Sequence, residues 1–135
     1  MRFGSLFSGI GGFDLGFEQA GLTCSWQVEI NDHCNQILER YWPGIERLKD
    51  VKELTAGDLG PVDLISGGFP CQDLSVAGRR AGLAGERSGL WFEFHRILEV
   101  HRPAWVVIEN VPGLFSSQSG WDLAIILRGL VKLGY

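Results

Sequence analysis

Val62-Asp63-Leu64-Ile65-Ser66, followed at once by Gly67-Gly68-Phe69-Pro70-Cys71-Gln72, is the stretch on which the fold reading turns. Its first five residues are a short, largely apolar run of the kind that forms a buried parallel strand. The glycines and Pro70 end that run and open a loop to about Arg87, with further glycines at 78, 82 and 85. A loop of this length without its own periodicity is usually functional. A cysteine at the carboxyl end of such a strand lies where open α/β sheets hold their ligands. Cys71 is therefore the candidate nucleophile.

Upstream, Arg2 to Phe7 reads as a first strand and Ser8-Gly9-Ile10-Gly11-Gly12 as a glycine-rich turn. Phe13, Leu15, Phe17 and Ala20 follow at roughly helical spacing, with Gly21 placed as a C-terminal cap. Strand, glycine turn and helix open a nucleotide-binding βαβ unit, in which backbone amides at the helix start approach a ligand. A G-x-G-x-x-G fingerprint from Gly9 would need glycine where Asp14 stands, so a tight connection without ligand is the alternative. Thr23 to Val28 is the second strand, and Glu29 ends it about 20 residues beyond the turn, where a carboxylate accepts from the hydroxyls of an adenosine ribose. Asn31 caps a helix from Asp32 to about Tyr41, with Cys34, Ile37, Leu38 and Tyr41 on one face; Pro43 and Gly44 stop it. Cys34 there, and Cys24 in the second strand, read as core positions. A short third strand ends near Leu48, and Asp50 after it is a second candidate contact for a nucleoside. Lys52 to Gly60 is a polar loop or short helix.

Downstream, a helix from about Ser88 to His101 carries Leu90, Trp91, Phe94, Ile97 and Leu98 on a packing stripe and stops before Pro103. Ala104 to Ile108 is a fifth strand, which delivers Glu109 and Asn110 to the same edge as Cys71. Ser119, with Asp122 at the reciprocal position, is expected to cap a last helix running to Gly134. Alternating strands and helices predict an open, mostly parallel Rossmann-like α/β sheet of about five strands with helices on both faces. Right-handed crossovers would align the strand ends along one rim.

Composition narrows the classes. At 135 residues, 45% hydrophobic and 21% charged, the chain has the make-up of a single globular domain. No apolar run reaches the ~20 residues of a membrane span, and the N-terminus lacks a signal peptide's pattern; a cytoplasmic protein is the expectation. Three cysteines without a CxxC pair argue against a disulfide framework and a zinc site. The net charge of −4 gives no general attraction to nucleic acid. Arg79, Arg80 and Arg87, in the loop after Cys71, are the local exception.

Phe7-Ser8-Gly9-Ile10-Gly11-Gly12, Gly68-Phe69-Pro70-Cys71-Gln72 and Glu109-Asn110-Val111 stand in the order and spacing of the cytosine-5 DNA methyltransferases, which the whole chain resembles. Arg87-Ser88-Gly89-Leu90-Trp91-Phe92-Glu93 is similar to that family's helix start after the catalytic loop. The resemblance implies a methyltransferase of DNA methylation and restriction-modification, using S-adenosylmethionine, associated with the nucleoid, and binding no metal or membrane. Cys71 would attack carbon-6 of a cytosine, and Glu109 would engage ring N3 and the exocyclic amine. Phe7, Gly9, Ile10, Gly12, Glu29, Ile30, Asp50, Val51, Pro70 and Leu90 would line the cofactor pocket. Gln72, Ser75, Arg79 and Arg80 would close over DNA bearing a flipped-out cytosine.

The family continues with a Gln-Arg-Arg-like motif, a target-recognition region and a returning C-terminal segment. The chain thus resembles the front of a catalytic domain, C-terminally incomplete: a fragment, a truncated product or one subunit of a split enzyme. Alone it is expected to bind cofactor weakly and to methylate poorly or not at all, its natural partner being the C-terminal segment or a second subunit. Three alternatives stand beside this reading: an RNA cytosine-5 methyltransferase, a nicotinamide-dependent Rossmann oxidoreductase using Glu29 on the ribose, and a catalytically silent module that keeps the fold.

Overall fold

Five short strands pair side by side, the largely apolar segments Leu64–Gly67 and Trp105–Ile108 among them. A computed structural model describes residues 1–55, 57–70 and 89–135. Strands β1 (Arg2–Leu6), β2 (Thr23–Val28), β3 (Glu46–Leu48), β4 (Leu64–Gly67) and β5 (Trp105–Ile108) form one sheet in the order β3-β2-β1-β4-β5. Every neighbouring pair is parallel. The result is an open Rossmann-like sheet with β1 at its centre. β1 stops one residue short of Phe7 because Phe7 turns into the left-handed region at φ 53°. β4 starts at Leu64 and extends to Gly67, which pairs with both Leu6 and Ile108.

The chain forms two compact units. The first comprises Met1–Gly68 with Pro103–Glu109 and contains the whole sheet, with helices α1 (Gly12–Gln19) and α2 (Asp32–Tyr41). Phe3, Cys24, Leu38, Trp42 and Leu64 are the buried centre of its core, with Phe17, Leu22, Ile45 and Val107 packed around them. Asn31 caps α2 as expected, its Oδ1 accepting from His33 N (2.9 Å) and Cys34 N (3.1 Å). Two packing expectations need correction. Tyr41 is exposed and Trp42 takes its place in the core, because the backbone leaves helical geometry at Trp42 (φ −126°, ψ 61°) and turns the indole inward. On α1 the apolar Phe13 and Leu15 face outward, and Asp14 is the buried residue.

β2 carries one extra residue. Phe3 pairs with Cys24 but Gly4 pairs with Trp26, so Ser25 bulges out, its hydroxyl accepting from Arg2 Nε (2.8 Å). The bulge places the fully buried Trp26 ring against Gly4, where an added Cβ would overlap three ring carbons. Gly4→Ala is therefore expected to lower stability by about 3 kcal/mol, read as a fall in the urea midpoint. An unchanged midpoint would show that Trp26 relocates freely.

The second unit comprises Phe69–Arg102 with Asn110–Tyr135. It contains α3 (Gly89–His101), two single 3-10 turns (Pro112–Phe115 and Ser117–Gly120) and α4 (Trp121–Leu133). α3 buries Trp91, Phe94, Ile97 and Leu98; its expected first residue, Ser88, lies outside the described residues. Phe69 joins the cluster with its ring 5.6 Å from Trp91. Ser119 does not cap α4. It adopts a left-handed conformation (φ 57°, ψ 33°), whereas a capping side chain needs an extended backbone. Gly120 occupies the cap position instead, and Asp122 accepts from Ser117 Oγ.

Candidate functional site

The rim at the carboxyl ends of the strands is set by strand order. From β1 the chain builds outward to β2 and β3, then returns to place β4 and β5 on the other side of β1. The reversal between β1 and β4 is where such sheets leave a crevice for ligands. Along this edge of the first unit lie, in turn, Asp50 beyond β3, Glu29 beyond β2, the Phe7–Gly12 turn beyond β1, Gly67 and Gly68 at β4, and Glu109 beyond β5.

The glycine turn is built from left-handed residues: Phe7 (φ 53°), Gly9 (φ 56°) and Gly11 (φ 86°). A phenylalanine in this region is strained, and such strain concentrates at functional sites. Backbone bonds Ser8 N to Val28 O (3.1 Å) and Gly11 N to Ser8 O (2.9 Å) close the turn. The Trp42 indole packs beneath Gly11, where any Cβ would overlap it. At Gly9 and Gly12, by contrast, an added Cβ meets nothing within 4 Å. The turn is thus supported from below and open above.

Glu29 closes the other side. Its carboxylate accepts from Gly9 N (2.8 Å) and Asn31 N (2.7 Å), tying the turn to the start of α2. Glu29 therefore has a structural duty as well as free lone pairs for hydroxyl donors. Ile10 (61% exposed) and Ile30 (66% exposed) stand on either side, unpacked by the protein itself. Asp50 Oδ1 accepts from Lys52 N (2.9 Å) in a local turn, and Val51 is buried. Open glycines, a carboxylate and exposed apolar side chains suit a ribose with a flat heterocycle, so these residues fit an adenosine cofactor.

At the far end of the rim, Glu109 is exposed and its amide continues the β4 pairing by donating to Gly67 O (3.1 Å). The carboxylate rests over Gly68: a Cβ built there would overlap Glu109 Oε2. Within the second unit, Asn110 Nδ2 donates to Phe69 O (3.1 Å), one residue before the exposed Pro70. Asn110 Oδ1 also accepts from Val111 N (2.9 Å), so its amide is held at both ends. Leu90 is half-buried near the start of α3. Cys71, Gln72, Ser75, Arg79 and Arg80 lie outside the described residues. Among the described residues there is no cluster of His, Cys, Asp and Glu fit for a metal, and no helix long and apolar enough to cross a membrane.

The close approach of Gly68 to the Glu109 carboxylate was not legible as such in the sequence. The signal for Gly68 was its place one residue past a strand, opposite the residue that follows the neighbouring strand.

Comparison with known proteins bears on the fold and the family. The chain is 38% identical to the type II methyltransferase M2.BsuMI of Bacillus subtilis over its whole length, covering 35% of that relative. It is 39% identical to the type II methyltransferase M.DsaV of Dactylococcopsis salina, again over its whole length, covering 38%. The solved structure of the S. pombe Dnmt2 methyltransferase superposes on 95% of the chain and 41% of its own with a TM-score of 0.72 at 25% identity. The chain thus spans little more than a third of the length of its curated relatives. The family description "C-5 cytosine-specific DNA methylase" matches residues 1–135, and the chain belongs to that family.

Proposed function

We propose that this chain supplies the cofactor turn, the nucleophile and the catalytic carboxylate of a DNA cytosine-5 methyltransferase. The observation that carries the reading is the rim order: Glu29 and the glycine turn lie on one side of the β1/β4 reversal, and Gly68 with Glu109 on the other. S-adenosylmethionine, held by the turn, Glu29, Ile10, Ile30 and Asp50, supplies an electrophilic methyl group.

Aromatic carbon-5 of cytosine is a weak nucleophile. Addition of the Cys71 thiolate at carbon-6 breaks the aromaticity and creates an enamine whose electron density sits at carbon-5. Glu109 shares its carboxyl proton with ring N3 while its other oxygen accepts from the exocyclic amine, and passage of that proton toward N3 neutralises the negative charge that thiolate addition puts into the ring. Once carbon-5 has taken the methyl group, which the cofactor would give up by leaving as S-adenosylhomocysteine, loss of the carbon-5 proton expels Cys71 and restores the ring. The base must leave the helix first, at a cost of a few kcal/mol, and Gln72, Ser75, Arg79 and Arg80 are placed by sequence to hold the opened strand. Asn110 secures the carbonyl of Phe69, two residues before the nucleophile. Neither the nicotinamide nor the silent-module reading accounts for the family match together with the Cys71 and Glu109 positions.

Duplex DNA bearing 5-fluorocytosine tests this, because its carbon-5 cannot release fluorine after the methyl group arrives. With the C-terminal segment of a family member supplied beside it, the parent chain is expected to form a covalent protein–DNA adduct and Cys71→Ser none. An adduct formed equally by Cys71→Ser would overturn the assignment, and parallel trapping on single-stranded RNA separates the two polymers.

A further inference from the structure

Asp14 is the only buried residue of α1, and the proposed reaction makes no use of it. It stands where a dinucleotide fingerprint would have its third glycine. Its carboxylate accepts from Ser5 Oγ of β1 (3.0 Å) and from Gln27 Nε2 (2.8 Å) and Cys24 Sγ (3.7 Å) of β2. Ser5 lies two residues before Phe7, and Gln27 two before Glu29. Cys24 and Gln27, three apart, both reach Asp14 because the bulge at Ser25 resets the alternation of faces along β2. Gln27 Oε1 in turn accepts from Arg47 Nη1 of β3 (3.0 Å), and that guanidinium pairs with Glu39 of α2.

We propose that Asp14 is a positioning residue: it locks the helix that starts at the glycine turn to both strands that carry the site, and so holds Gly9 in register with Glu29. The inference rests on the adenosine reading above for its functional meaning, but its geometry does not. Three donors from two strands converge on two oxygens, and a fully buried group so engaged cannot shift without leaving several partners unpaired. The charged neighbours fit this role. Arg47 supplies the opposite charge through the Gln27 amide, while Glu18 adds negative potential near Cys24. Burial raises the Asp14 carboxyl above its ordinary range, opposed by the hydrogen bonds from Gln27 and Ser5. Burial and the neighbouring Asp14 charge push the Cys24 thiol up to about 12, so it stays a thiol that donates to Asp14.

Amide hydrogen exchange tests the lock without any ligand. The amides of Ser8, Gly9 and Gly11 report on the turn directly. In Asp14→Leu, and in Ser5→Ala should the first variant fail to fold, these amides are expected to exchange about tenfold faster while those of β4 and β5 keep their protection. Asp14→Asn can still accept from Gln27 and donate to Ser5, so it should stay close to the parent. Turn amides that remain as protected as in the parent, or that loosen only in step with the whole sheet, would overturn the proposal. Titration with S-adenosylhomocysteine to millimolar concentration, within reach of the weak binding expected of the chain alone, separates the two readings. A parent that fails to bind, beside variants with a selectively loosened turn, sinks the adenosine pocket and leaves the lock standing. A parent that binds, beside variants with unchanged exchange, sinks the lock alone.

Discussion

With the expected C-terminal partner segment supplied, Glu109→Gln is expected to slow methyl transfer to duplex DNA by about 10²–10⁴-fold, with cofactor affinity unchanged. The carboxyl is the group placed to pass a proton to ring N3 as negative charge develops in the cytosine, and a glutamine keeps the shape and a donor while losing that transferable proton. The local structure adds a second way to reach the same loss. Because a Cβ at Gly68 would overlap Glu109 Oε2, Gly68→Ala should swing the carboxylate aside and reproduce much of the effect without touching its chemistry. Two changes that act through one group are not additive. Gly68→Ala should therefore slow the parent strongly and the Glu109→Gln variant hardly at all. Single-turnover transfer of a tritiated methyl group, measured across the four proteins, decides this. Additive losses would mean that Gly68 matters for the backbone leading to Cys71 rather than for Glu109, and a parent-like rate in Glu109→Gln would remove the carboxylate from the mechanism.

The order of elements was legible because β1, β2, β4 and β5 are short runs carrying apolar residues, set off by glycine, proline or polar residues, and periodicity changes sharply from strand to helix. Glu29 and Glu109 were legible for the same reason: they directly follow such runs. What sequence reasoning missed depends on contacts that no local pattern encodes. Asp14 looked like a defect in a glycine fingerprint, although its partners Ser5, Cys24 and Gln27 lie on two other elements. The β2 bulge was invisible because alternation looks regular until pairing with β1 shows the extra residue. Ser119 looked like a cap because Asp122 stands three residues on; the backbone before α4 turns left-handed through Gln118 and Ser119, so the capping geometry never forms. Tyr41 and Trp42 exchanged roles because the helix ends between them, a one-residue uncertainty that reverses which ring is buried.

The second large effect is expected at Glu29. Glu29→Ala should weaken S-adenosylhomocysteine binding by about 100-fold, the ~2.7 kcal/mol of one to two charge-assisted hydrogen bonds to ribose hydroxyls. It should also lower stability by about 1–3 kcal/mol, because Gly9 N and Asn31 N lose their shared acceptor. Glu29→Gln separates these duties. Both partners of the carboxylate are N–H donors, so an amide can satisfy one and must turn its own NH₂ toward the other. The glutamine should therefore recover only part of the stability and part of the affinity, since the turn at Gly9 would still be released on one side. Calorimetric titration and urea unfolding of the three proteins give both quantities on the same samples. If the midpoint falls while affinity holds, Glu29 is a brace for the turn and the ribose is recognised elsewhere. If affinity falls in both variants beyond what the turn's loosening in Glu29→Gln explains, the carboxylate itself meets the cofactor, and the crevice beside β1 is its site.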